Sequence, residues 1–367
     1  MTEIAVIILA AGLGVRMKSD LPKVLHPLAG RPLLDYPLTL AEKLKMPVIL
    51  VVPKDHAGIR QFIKNRSVNG ARFAIQDPPL GTGHAVMMGL KKSGAKVGHF
   101  LILSGDVPLV SRATIEKLME THRAKNASLT MVTALLDEPG VYGRIVRDRA
   151  GLVTSIVEAK DATPEERAIK EINLGIYLAE SSFLKPALDQ LRDSNAQKEY
   201  YLTALAGLAS GSGKTVETIT AARPHEGLGV NNRGELIQME KMLMTQRILD
   251  WAEKGVRFVN PEGIYIDETV VIGPGATVYG PSYLLGQTKI GAGCVIKAFC
   301  HIEDSVVADK AQIGPFAHLR PGSEIGVEAK IGNFVEVKKS KIGAGSKANH
   351  LSYIGDAVIG KKVNIGA

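Results

Sequence analysis

From residue 266 to residue 365 an aliphatic side chain returns every six positions. Ile266, Ile272, Val278, Leu284, Ile290, Ile296 and Ile302 make a first unbroken run, and Ile313, Leu319, Ile325, Ile331 and Val337 a second. Ile342, Ala348 and Ile354 follow, then Ile359 and Ile365. Glycine often stands next, as in Ile272-Gly273, Ile290-Gly291, Ile331-Gly332 and Ile342-Gly343. One inward aliphatic per short strand at a period of six is the signature of a parallel β-helix. The register slips by one at 308–313, 337–342 and 354–359, which a solenoid tolerates at its corners. The array stops at Ala367 in mid-repeat, without the polar cap that normally ends such arrays. The expectation is therefore a β-helix that is incomplete at its C-terminus.

The first 230 residues follow a different pattern. Ile4–Leu9, Val48–Val52, Phe73–Gln76 and Phe100–Leu103 are short apolar runs, with helical stretches such as Leu38–Leu44 and Thr114–His122 between them. Buried runs alternating with helices predict a mainly parallel, doubly wound α/β sheet. Ligands of such sheets sit at the carboxyl ends of the strands. From Arg233 to Glu253, Leu236, Met239 and Leu243 recur at helical spacing, which predicts an amphipathic connecting helix. The expected division is 1–230 for an α/β domain, 231–257 for a linker helix and 258–367 for the β-helix.

Bulk properties narrow the function classes. The 367 residues are 45% hydrophobic, which is globular, and carry a net charge of +8. That charge suits an anionic ligand. Nucleic acid is disfavoured because the cations are scattered and only 5% of residues are aromatic, whereas a single-strand binder interleaves stacking rings with its basic residues. Cys294 and Cys300 make neither a disulfide framework nor a CxxC zinc pair, and read as buried thiols in a reducing cytoplasm. The N-terminal apolar run carries Glu3 and lacks a basic leader, so it reads as a strand rather than a signal peptide. No window has the roughly 20 apolar residues of a membrane helix.

The chemistry-bearing segment follows the first strand: "LAAGLGVRMKSDLPK", residues 9–23. Gly12 and Gly14 begin a dinucleotide fingerprint, but Met17 stands where its third glycine belongs. A second glycine-rich stretch, "LASGSGKT" at 208–215, has leucine where a Walker A loop needs glycine, and follows a helix rather than a strand. Residues 210–214 read as a surface turn with Lys214 solvated. What remains is a loop whose backbone can approach a phosphate. Beyond it lie Arg16, whose planar fork clamps oxygens, and Lys23, a point charge.

These residues resemble the L-x-x-G-x-G-T-R-M-x-S-x-x-P-K motif of sugar-nucleotide pyrophosphorylases. Further on stand "LGTGHA" (80–85), "SGDVPL" (104–109), "YGRI" (142–145), "VEAKDAT" (157–163), "EINLGIY" (171–177) and "GVNNR" (229–233). The repeats add "LRPG" (319–322), "GNFVEVKKS" (332–340) and "NHLSYIGDA" (349–357). In this order they are similar to the bifunctional bacterial N-acetylglucosamine-1-phosphate uridyltransferase/glucosamine-1-phosphate acetyltransferases. The resemblance implies an N-terminal domain that joins UTP to N-acetylglucosamine 1-phosphate, giving UDP-N-acetylglucosamine, a cell-wall precursor, and pyrophosphate. It also implies a left-handed β-helix that acetylates glucosamine 1-phosphate from acetyl-CoA, and a cytoplasmic homotrimer packed along its helices.

The resemblance assigns roles residue by residue. Arg16 and Lys23 would hold the phosphates during an in-line displacement that needs positioning and charge neutralisation rather than a strong base. Asp106 follows the apolar run "HFLILSGD", and its carboxylate suits Mg²⁺; the resemblance adds Asn231 as second ligand. Leu9, Ala11, Gly12, Gln76, Gly81 and Thr82 would meet the nucleotide, and Gly143, Glu158 and Asn173 the sugar. Val15 replaces the motif's threonine, and Ser104 stands where some members have tyrosine, but neither change removes a charge or a metal ligand. In the β-helix, Arg320, Lys338, Tyr353 and Asn364 match acceptor positions, and His350 a general base with a near-neutral pKa. Lys310–Ala367 carries nine Lys or Arg against four Asp or Glu, which suits the phosphates of CoA. An incomplete β-helix would leave acetyl transfer lost or nearly so. Two alternatives stay open from the residues alone: a nucleotidyltransferase for another nucleotide or sugar, and a basic scaffold that binds without catalysis.

Overall fold

The computed structural model describes residues 3–66, 70–94 and 96–366; the final Ala367 lies outside them. The chain divides into two compact units, one of residues 1–27 and 31–236 and one of residues 28–30 and 237–367.

The strands of the first unit are β1 Glu3–Leu9, β2 Val48–Pro53, β3 Arg72–Gln76, β4 Val97–Ser104, β5 Leu129–Leu135, β6 Arg144–Arg147, β7 Val153–Val157, β8 Glu171–Glu180 and β9 Val216–Thr220. They order as β9-β5-β8-β4-β1-β2-β3, with β6 bridging β8 and β7. The β1, β2, β3 and β4 pairings are parallel, as is β9 with β5, whereas β8 runs antiparallel to β4 and β5. The long apolar runs follow from burial on both faces. Along β1, Ile7 joins one core with Val51, Phe100 and Ile102, while Val6 and Ile8 join the other with Leu50 and Leu101. Helices α1 Asp35–Lys43, α2 Ala57–Arg66, α3 Thr82–Leu90 and α4 Arg112–Ala124 connect the strands, followed by α5 Pro164–Arg167, α6 Ser181–Leu188 and α7 Ala204–Gly211. Helix α7 runs into the expected 210–214 turn, ending at Gly211, and Lys214 is exposed. Helix α8 spans Arg233–Glu253, the expected connector.

The second unit is a left-handed parallel β-helix. Its short strands stack into three parallel sheets of seven, six and six. Each sheet stacks one aliphatic series: Val278, Ile296, Ile313, Ile331 and Ala348 in one, Ile266, Leu284, Ile302, Leu319, Val337 and Ile354 in the next. The third runs Ile272, Ile290, Val307, Ile325, Ile342 and Ile359. All the repeat aliphatics expected to point inward are buried except Ile359 and Ile365, which are half-buried. One expectation needs correcting. Val307 occupies the inward place between Ile302 and Ile313, so the first short step is 302–307 and not 308–313.

A second inward series lies two residues before the first: Ser282, Thr288, Cys294, Cys300, Ser305, Ala311, Ala317 and Ser323, all buried. Only small residues fit at these corners, and the buried hydroxyls find their acceptors in backbone carbonyls of the turns and of the neighbouring coil. Ser323 Oγ bonds the carbonyls of Arg320 at 2.6 Å and Val337 at 2.9 Å. Both cysteines belong to this series as free, buried thiols, and burial pushes the Cys300 thiol up to about 11. No helix among the described residues is long and apolar enough to cross a membrane.

Candidate active site

Leu9 ends β1, and the chain turns away from the sheet as the glycine loop. Gly14 adopts φ +63°, and a Cβ there would lie 2.7 Å from Lys23 Cβ. The loop thus folds back on the lysine that closes it. A Cβ on Gly12 would meet nothing within 4 Å, so its backbone faces open space. Val15–Met17 forms a single 3₁₀ turn with Met17 buried beneath it and Val15 79% exposed. The missing threonine hydroxyl therefore belongs to the solvent side of the loop. Arg16 reaches across to Asn231, donating from Nη2 to Oδ1 at 3.1 Å.

Asp106 lies two residues beyond β4, at the carboxyl end of the sheet. Its carboxylate forms an ion pair with Lys23 Nζ, and the same ammonium donates to Asn231 Oδ1 at 3.3 Å. Four residues from three distant segments thus converge, with a cation already held between a carboxylate and a carboxamide oxygen. Among the described residues no three His, Cys, Asp or Glu side chains cluster as a metal cage. The Asp106–Asn231 oxygen pair has instead the hard donors and low ligand number of a site completed by phosphate and water.

A cavity of about 370 Å³ opens beside this pair, lined by Leu9, Ala11, Gly12, Lys23, Gln76, Gly81, Thr82, Ser104, Asp106 and Glu199 among others. Gln76 is buried at the end of β3. Its Nε2 donates to Gly81 O at 2.9 Å and lies 3.3 Å from His84 Nδ1. Burial lowers the His84 pKa, and in the neutral tautomer whose Nδ1 accepts, both Gln76 amide hydrogens are used. The Gln76 Oε1 then remains for a ligand. Gly81 has φ +106°, and a Cβ there would lie 2.9 Å from the Tyr200 backbone. That segment is tied on by Gly83 N to Tyr200 O at 2.7 Å and by Leu202 N to Thr82 Oγ1 at 3.1 Å.

Gly143, Glu158 and Asn173 form a second group. Asn173 N donates to Gly143 O at 2.9 Å, and a Cβ on Gly143 would lie 3.6 Å from Glu158 Oε2. The Asn173 carboxamide donates to the Tyr177 hydroxyl at 2.6 Å and accepts from Gly175 N at 3.2 Å. Glu158 accepts from Thr203 Oγ1 at 3.0 Å. Burial raises its pKa, with Asp161 and Glu199 adding to the rise and the Thr203 bond opposing it. Its ionisation therefore costs more in the folded than in the unfolded chain. That cost is full above the folded pKa and vanishes as pH falls below the ordinary carboxylate value. Glu158→Gln is thus expected to raise the melting temperature at neutral pH, with the gain fading on acidification. A melting series against pH checks this, and a gain that grows towards acid would refute it.

On the β-helix, Arg320 pairs with Glu336 at 2.9 Å, and Leu319 stacks in register on Val337, so Arg320 and Lys338 follow on adjacent coils. Asn349 Nδ2 reaches Asn364 Oδ1 at 3.5 Å. His350 and Tyr353 are exposed, and no bond joins His350 to the other four residues among the described contacts.

Residues 6–172 match the model of the MobA-like NTP transferase domain. The bifunctional protein GlmU of Trichlorobacter lovleyi is 44% identical over 99% of this chain and 82% of its own length. That of Pelobacter propionicus is 43% identical over 100% and 83%. The chain belongs to the GlmU family. It is a nucleotidyltransferase. The GlmU proteins match throughout this chain and lend no support to the expectation of an incomplete β-helix. Sequence reasoning missed Glu199, which reaches the cavity from a segment without a recognisable motif, and Glu235, treated below.

Proposed function

We propose that the chain transfers the uridylyl group of UTP to N-acetylglucosamine 1-phosphate, releasing pyrophosphate and UDP-N-acetylglucosamine. The observation that carries this reading is the Lys23 ammonium held by both Asp106 and Asn231 at the mouth of the cavity that Gly12 and Gln76 line. Asp106 and Asn231 are the residues that would hold Mg²⁺, which when bound offsets the charge on the phosphate oxygens. Lys23 exchanges its carboxylate partner for phosphate oxygens as substrate enters, and Arg16 clamps them from the loop. Gln76 Oε1 is the acceptor for the N3–H of uracil, with Leu9, Ala11, Gly12, Gly81 and Thr82 shaping the walls and Ser104 beside the ribose. Glu158 and Asn173 offer acceptors and donors to the sugar hydroxyls and acetamido group, with Gly143 leaving room for the ring. The attacking sugar phosphate is anionic near neutral pH, so positioning and charge neutralisation supply the catalysis.

In the same reading, 1–230 carries uridylyl transfer, 231–257 links, and 258–367 forms the acetyltransferase side of a homotrimer. There Arg320, Lys338, Tyr353 and Asn364 grip glucosamine 1-phosphate and His350 accepts the amine proton, with acetyl-CoA as donor. A cytoplasmic location accords with the two unpaired thiols.

Pyrophosphate release from a panel of nucleotides and sugar 1-phosphates, with Mg²⁺ present, tests the reading. UTP with N-acetylglucosamine 1-phosphate is expected to lead, and a thymidylyl or adenylyl preference would replace the assignment. Steeply salt-dependent binding to DNA or RNA without turnover would favour the scaffold alternative. Arg16→Ala is expected to slow release by about 10²–10³-fold, the scale of one lost transition-state donor. An Arg16→Ala rate near the native one would remove Arg16 from the phosphate grip.

A further inference from the structure

Asn231 can serve a cation only through its oxygen, and a carboxamide has two ends of nearly equal size. The geometry points to Glu235 as the positioning residue that decides which end faces the site, an inference that rests on the metal role proposed for Asn231. Glu235 lies in the first turn of α8. Its Oε2 accepts from Asn231 N at 2.7 Å and from Asn231 Nδ2 at 3.1 Å, while Oε1 accepts from Asn232 Nδ2 at 2.6 Å. A carboxylate only accepts, so Nδ2 must turn towards it. On the opposite side the described partners of the carboxamide are two donors, Arg16 Nη2 at 3.1 Å and Lys23 Nζ at 3.3 Å, so Oδ1 turns towards them. The two sides permit one orientation, the one that aims oxygen at Asp106's partner cation.

Part of the cluster is ordinary helix capping. Glu235 N donates to Asn232 Oδ1 at 2.9 Å, and Leu236 N to Asn232 O at 3.1 Å, which makes Asn232 the cap of α8. A capping box returns the glutamate to the cap residue's own N–H. Glu235 goes one residue further back, to the backbone and the side-chain amide of Asn231. Capping alone does not call for that second bond, whereas orienting a ligand does.

The test is Mn²⁺ binding followed by electron paramagnetic resonance with UTP present and no sugar phosphate, so that no turnover is needed. Glu235→Ala is expected to weaken Mn²⁺ binding by about 10–100-fold, the usual effect of losing a partner that orients a ligand. Glu235→Gln keeps an acceptor for Asn231 and is expected to lie closer to the native chain than to Glu235→Ala. Asn232→Ala removes the cap but not the Glu235–Asn231 bonds; it should lower the melting temperature and leave Mn²⁺ affinity largely intact. An Asn232→Ala loss equal to that of Glu235→Ala would reduce Glu235 to a capping residue. Native affinity in Glu235→Ala, alongside loss in Asp106→Ala, would overturn the orienting role and leave the metal site standing. Native affinity in Asp106→Ala as well would overturn the metal site itself, and the inference with it.

Discussion

Asp106→Ala is expected to reduce pyrophosphate release by about 10³-fold or more, beyond the single-donor loss expected for Arg16→Ala. The larger effect follows from the double engagement of this carboxylate. It is one of the two oxygen donors proposed for Mg²⁺ and is also the ion-pair partner of Lys23, whose side chain is only 12% exposed. Removing it takes the only carboxylate from the oxygen pair proposed for Mg²⁺ and leaves the Lys23 ammonium poorly compensated. Charge neutralisation and phosphate positioning therefore fail together. Asp106→Asn keeps an oxygen of similar reach without its charge, so it is expected to retain more activity than Asp106→Ala but far less than the native chain. Steady-state pyrophosphate release over a range of Mg²⁺ concentrations separates the two losses. Excess metal should recover part of the Asp106→Asn rate and little of the Asp106→Ala rate. Full activity in Asp106→Ala would remove this carboxylate from the chemistry.

The parts of this molecule that were legible in the sequence are those with a local period or a contiguous motif. The six-residue series gave the inward face of the β-helix because each coil repeats one constraint, a single buried aliphatic per strand. It hid Val307, because a valine follows a valine there and the five-residue step leaves the phase ambiguous. It also hid the corner series, where Ser, Ala, Thr and Cys share a size rather than a polarity. In the α/β unit the apolar runs placed the strands, and the position of Asp106 after such a run placed its carboxylate at the carboxyl edge. What could not be read was convergence. Nothing local in "GVNNR" says that Asn231 lies within 3.3 Å of Lys23, more than 200 residues away in the chain. Nothing in "KEYY" says that Glu199 reaches the cavity beside Asp106. Such contacts are products of the tertiary fold, and a sequence displays them only through resemblance.

The paired substitutions Val306→Asp and Val307→Asp should separate by a wide margin, although the residues are identical neighbours. Val306 is 45% exposed and Val307 1%, because successive side chains of a strand point to opposite faces. Val307 stacks in register between Ile290 and Ile325, inside a core whose buried side chains are aliphatic or small. An ionised carboxylate there finds no cation among the described buried residues of this core, and the nearby corner hydroxyls of Thr288, Ser305 and Ser323 are already committed to backbone carbonyls, so the effective cost is several kcal/mol. That is a large part of the roughly 5–15 kcal/mol that stabilises a whole domain. In a solenoid each coil is supported mainly by its neighbours, so the damage should spread along the stack from the central coil. Val306→Asp places the same charge in water and is expected to change stability by no more than about 0.5 kcal/mol. The pH dependence carries an independent sign. Burial raises a carboxyl pKa, so the Val307→Asp penalty is full above that raised value and shrinks as pH falls towards about 3.9. Denaturant unfolding followed by circular dichroism should show the Val307→Asp midpoint low at neutral pH and recovering on mild acidification relative to the native chain at the same pH. The Val306→Asp midpoint should track the native chain throughout. Pyrophosphate release should survive in both variants, since the β-helix core shares no residue with the two cores that hold the sheet. Equal midpoints for the two variants would mean that Val307 does not face the core.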